Sequence, residues 1–146
     1  MTVRWVLIAV AGLLVAAGVP QDAAVEKELE QLQGTWQMVS HEMNGRPDDA
    51  LKGATRVVEG DRFTIKKGDE ILRSATMKLD PTKEPRWIDI TFTEGSETGK
   101  VRRGIYVLEG DLQTICYGDL GEERPTEFVS KPGTGHRLVV FKRVKP

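Results

Sequence analysis

Two histidines, one cysteine and scattered serines and carboxylates are the material for covalent or metal chemistry in this 146-residue chain. Ser40 and His41 are adjacent, and neighbours on a strand point to opposite faces, so they do not form a nucleophile–base pair. Cys116 shares a strand face with Leu112 and Thr114, the setting of a small buried hydrophobe. No basic neighbour in sequence is placed to activate its thiol. His41 and His136 lack metal-ligand spacing, and Asp48, Asp49, Asp80, Glu84, Glu122 and Glu123 read as solvated loop residues. No glycine-rich phosphate loop leads from a strand into a helix. The expectation is a protein that is not an enzyme, with no catalytic residue, no metal and no cofactor.

Two arginines offer a different chemistry. On a strand over Glu70–Leu79, Ile71, Arg73, Ala75, Met77 and Leu79 share one face. On a strand over Val101–Leu108, Val101, Arg103, Ile105 and Val107 do the same. If those apolar faces line an interior, Arg73 and Arg103 project into it, and a buried guanidinium needs an anionic partner. One reading seats the carboxylate or phosphate of an amphipathic ligand on one or both of Arg73 and Arg103, its tail along Phe63, Ile65, Met77 and Ile105. The other pairs the arginines with acidic side chains of the protein or leaves them at a wetted rim. Tyr106 and Tyr117 add hydroxyls that serve a ligand or a structural hydrogen bond.

The elements that must position these groups follow from composition and period. With 21 basic and 22 acidic residues the net charge is −1, which gives no footprint for nucleic acid. One cysteine leaves no internal disulfide. Met1–Arg4 carries a positive charge, Trp5–Val19 is uncharged and apolar, and Ala16-Ala17-Gly18 is small. Residues 1–18 therefore read as a secretory signal peptide, and the apolar run is short of the ~20 residues a spanning helix needs. The expected product is exported to the periplasm, cell envelope or medium, is monomeric, and has no stable membrane insertion once the signal is cleaved.

Residues 19–33 read as a linker and short helix. Val25, Leu29 and Leu32 stand at helical spacing over Ala23–Gln33, Asp22 is available as N-cap, and Gly34 stops the run. Beyond Gly34 the period becomes two. Strands are predicted at Thr35–Met43, Thr55–Glu59, Arg62–Lys66, Glu70–Leu79, Arg86–Thr93, Val101–Leu108, Leu112–Tyr117, Thr126–Ser130 and His136–Val144, with a helical turn within Asp48–Gly53. On the first, Trp36, Met38 and Ser40 share a face opposite Val39, His41 and Met43. Gly-Asp turns between alternating strands predict antiparallel hairpins. Val57–Ile65 and Val107–Ile115 echo each other, which shared turn chemistry explains. Many short strands with turn signals predict an all-β barrel or sandwich over residues 34–146.

Gly34-Thr35-Trp36, on the first strand after a short helix, resembles the G-x-W motif of the lipocalins. Leu32–Trp36, Gly60-Asp61-Arg62-Phe63, Lys78-Leu79-Asp80-Pro81, Ile88-Asp89-Ile90, Gly104-Ile105-Tyr106, Arg124–Phe128 and Lys131-Pro132-Gly133 are together similar to a lipocalin-like domain family of unknown function abundant in planctomycete bacteria. The resemblance implies a small antiparallel up-and-down barrel of about eight strands. It also implies that Trp36 closes the base under a basic residue of the last strand, Arg143 or Lys142. The function expected is non-catalytic binding of a small amphipathic or hydrophobic molecule in the barrel. The rival is a cell-envelope protein–protein interaction module, its barrel packed by its own side chains and its Gly118–Pro125 loop contacting a partner.

Overall fold

Period-two patterning and glycine-led turns produce a sheet that closes on itself. The computed structural model describes residues 21–145, so the expected signal peptide lies outside the described residues. Helix α1 (Gln21–Leu32) precedes nine strands: β1 (Gly34–Met43), β2 (Arg46–Pro47), β3 (Thr55–Glu59), β4 (Arg62–Lys67), β5 (Glu70–Asp80), β6 (Arg86–Phe92), β7 (Val101–Glu109), β8 (Leu112–Tyr117) and β9 (Arg137–Arg143). Each strand from β3 to β9 pairs antiparallel with the next, and β1 pairs with both β3 and β9. These eight strands form a closed up-and-down barrel, while β2 is a two-residue return beside the end of β1. Closure leaves the barrel with no exposed sheet edge around its girth.

The turns follow their residues. Gly60, Gly68 and Gly110 each occupy the first position of a two-residue hairpin turn with φ near +60° (62°, 62° and 59°), the left-handed conformation such turns require. The echo between Val57–Ile65 and Val107–Ile115 is thus two hairpins, β3–β4 and β7–β8, built on one turn chemistry. The helical turn predicted within Asp48–Gly53 is a 3-10 turn at Asp49–Leu51, capped by Asp48, whose carboxylate accepts from the Ala50 N–H at 3.1 Å.

The predicted strand at Thr126–Ser130 does not form. That segment belongs to a long connection from Gly118 to His136 lying against the outside of β7 and β8. The Gly118 N–H donates to the Arg103 carbonyl at 2.8 Å, and Gly121 N–H to the Val101 carbonyl at 2.9 Å. Arg124 reaches Asp89 at 2.6 Å and the Gly104 carbonyl at 2.7 Å. Polar side chains and backbone tie this segment down in place of a ladder.

One end of the barrel is sealed. Leu32 of α1 packs with Trp36, Val58, Leu79, Ile88, Tyr106 and Ile115 in the core. The Trp36 indole N–H donates to the Leu32 carbonyl at 2.9 Å, and the Arg143 guanidinium lies 4.3 Å from the Trp36 ring centroid. Of the two basic residues offered by the last strand, Arg143 covers the tryptophan; Lys142 points outward and is exposed. Glu28, buried on α1, accepts from the Tyr106 hydroxyl at 3.0 Å and from Arg86 at 2.8 Å, which docks the helix on the barrel floor.

Candidate functional site

Away from the helix the interior is not filled. A recess there is walled by Met38, Leu51, Ile65, Ile90, Val139 and the rings of Phe63, Phe92 and Phe141. Its polar lining is basic or phenolic: Arg56, Arg73, Arg102, Arg137, His41 and Tyr117, with no Asp or Glu. The volume is about 60 Å³. One water needs ~10–15 Å³ on the same measure, so the space matches about four to six waters.

Strand register explains which basic residues face inward. Arg56 lies between Ala54 and Val58 on the buried face of β3, and is itself 1% exposed. Its Nη1 donates to Gln113 Oε1 at 3.1 Å and its Nη2 to the Met77 sulfur at 3.0 Å. The guanidinium lies 4.3 Å from the Phe63 centroid and 5.2 Å from that of Phe141. All these partners are neutral. Burial lowers the Arg56 pKa from its ordinary value, with the nearby Tyr117 acting the other way. Nε of Arg56 and Nε2 of Gln113 are buried without a hydrogen-bond partner, as is Nε of Arg137.

Arg73, Arg102 and His41 are partly compensated. Arg73 pairs with Glu97 at 2.7 Å and stands 5.6 Å from the Phe92 centroid. Arg102, 3% exposed, donates to the Gly118 carbonyl at 3.1 Å and lies 3.6 Å from Asp119. His41 Nδ1 sits 3.5 Å from Asp48 without a hydrogen bond. Burial is the largest influence on His41 and lowers its pKa; Asp48 opposes this, and Arg137 and Arg73 reinforce it.

Several predicted positions move. Arg103, expected inside, is exposed on the outer wall, donating to the Glu122 carbonyl at 3.3 Å. The residue inside is Arg102, in phase with Gly104 and Tyr106. Ile105 is 1% exposed yet also faces outward: it pairs with Cys116 beneath the long connection, where the Cys116 thiol donates to the Val129 carbonyl at 3.6 Å. It does not line the recess. Tyr106 points inward but spends its hydroxyl on Glu28 at the sealed end. Met77 is interior and engaged by Arg56, while Phe63 and Arg73 line the recess as expected. Ile71 is 51% exposed, because a bulge opposite Ile65/Lys66 breaks the face it was to share with Arg73. A second bulge between Met38 and Ser40 leaves Val39 outside as expected but turns Ser40 out and His41 in, so the alternation expected on β1 reverses beyond Met38.

No family model, curated protein or solved structure matches this chain. The site therefore stands on its own geometry. Among the described residues no three His, Cys, Asp or Glu side chains gather to hold a metal ion. No helix among them is long and apolar enough to cross a membrane. The arrangement is an apolar-walled recess in a closed barrel, with hydrogen-bond donors and positive charge turned into it.

Proposed function

We propose that this protein binds a small amphipathic molecule in the open half of the barrel, without catalysis. It would do so as an exported, monomeric, lipocalin-like protein once residues 1–18 are removed. The observation that carries the reading is the recess itself. Aromatic and aliphatic walls would accept an apolar body, while the cations that share the space have no carboxylate among its lining residues. Ligand sites combine mostly apolar walls with a few placed polar groups, and this lining has that composition.

The test is native mass spectrometry of the protein purified without detergent from its own or a related host. The expected result is a discrete excess mass, lost on denaturation, diminished in Arg102→Ala and retained in Arg103→Ala. That adjacent pair separates an interior guanidinium from an exterior one of the same type. A clean polypeptide mass, unmoved by a mixture of lipids and metabolites, would overturn the reading. It would leave the barrel as an interaction module whose long Gly118–His136 connection meets a protein partner.

A further inference from the structure

Resting on the proposal that the recess binds a small molecule, we infer that its ligand is a compact organic acid, a carboxylate on a short apolar body, seated head-first against Arg56. Arg56 is buried within the barrel between Phe63 and Phe141, and its hydrogen bonds go to an amide oxygen and a thioether. An ionised group removed from water without a counter-charge is costly, so this position carries a standing demand for an anion.

Arg73 and Arg102 do not make the same demand. Arg73 holds Glu97, and Arg102 holds the Gly118 carbonyl with Asp119 close by. The orphaned nitrogens of Arg56 and Arg137, two residues that line the recess, are both donors, which calls for acceptor oxygens. The phenyl rings beside Arg56 present apolar surface rather than further donors, which suits a carboxylate carried on carbon better than a fully hydrated inorganic anion. Size limits the body: a carboxylate with roughly three or four carbons fills a space of about four to six waters. A longer chain would have to emerge past Arg73, which is part-exposed at the mouth.

Isothermal titration of the protein with butyrate, 1-butanol and inorganic phosphate tests the assignment, each against the native chain and Arg56→Met. Butyrate should bind the native protein at least about tenfold more tightly than butanol, the size of effect a charge-assisted hydrogen bond gives. Arg56→Met should remove that preference. The same variant, without ligand, should unfold at higher urea, because a thioether of similar length replaces an uncompensated charge. Equal affinity for butyrate and butanol would overturn the anion assignment while leaving the small-molecule reading intact. Phosphate binding as tightly as butyrate would also overturn it, in favour of a bare anion site. If Arg56→Met keeps the preference, or is less stable than the native chain, Arg56 is a structural residue and the inference fails. If the native protein binds none of the three and shows a clean native mass, the underlying reading fails with it.

Discussion

The Arg143 guanidinium lies 4.3 Å from the centroid of Trp36, directly across the β1–β9 ladder, and bonds the carbonyls of Gln33, at 2.9 Å, and Gln31. One side chain therefore covers the indole, caps the last carbonyls of α1 and joins the first barrel strand to the last. Arg143→Ala should cost about 1–2 kcal/mol, combining a part-exposed cation–π contact with two charge-assisted hydrogen bonds. Arg143→Lys should recover less than half, since an ammonium cannot both lie flat on the ring and reach two carbonyls. Urea midpoints of the three proteins check this.

Glu28 and Tyr106 join helix to barrel floor through one buried hydrogen bond. Burial, then the Glu28 charge, raises the Tyr106 pKa well beyond the ordinary phenol range, so the hydroxyl stays a donor at any physiological pH. Glu28→Ala strands that hydroxyl and should cost about 1–3 kcal/mol, while Tyr106→Phe, which leaves Glu28 its Arg86 partner, should cost about 1 kcal/mol. Denaturant unfolding gives both values. Equal losses would show that the pair does not act as described.

His41 makes stability depend on pH. Its folded-state pKa lies below the ordinary 6.5, chiefly through burial. The unfolded chain then binds the extra proton first, so this contribution is fully present above pH 6.5 and is lost as pH falls from there through the folded value. Urea midpoints between about pH 7.5 and about pH 5 should decline on the acid side, and His41→Gln should flatten that decline. An identical decline in the variant would assign it to other groups.

Gly104 permits β6, β7 and β8 to close together. A Cβ there would stand 2.8 Å from the Cys116 carbonyl oxygen and 2.9 Å from Tyr117 Cδ1. Gly104→Ala should cost about 1–3 kcal/mol by overpacking. Because Tyr117 lines the recess, the variant should also weaken any ligand bound there, which the same titration measures.

The barrel was legible in the sequence because its causes are local: period-two runs, glycine-led turns, and a helix with a glycine stop. The Trp36–Arg143 contact was also within reach, since family resemblance placed a basic residue there. The face of each strand was harder. On β7 both faces are covered, one by the interior and one by the long connection, so Ile105 is as buried as Tyr106 and hydrophobicity alone could not tell Arg102 from Arg103. On β1 and β5 single-residue bulges shift the alternation mid-strand, which no period reveals. Arg56 could have been found: Ala54 and Val58 flank it two residues away on either side, the mark of an inward charge.

The strand that shuts the barrel is the last of the described strands in chain order. β9 supplies Val139 and Phe141 to the recess wall and Arg143 to the tryptophan, and Arg143 meets Gln33 from 110 residues away. Closing so wide a loop costs entropy that only the finished ladder returns. Without β9 the other described strands enclose no interior. The Phe141 ring beside the Arg56 guanidinium comes from that same strand, so the recess and its dry cation depend on one closure.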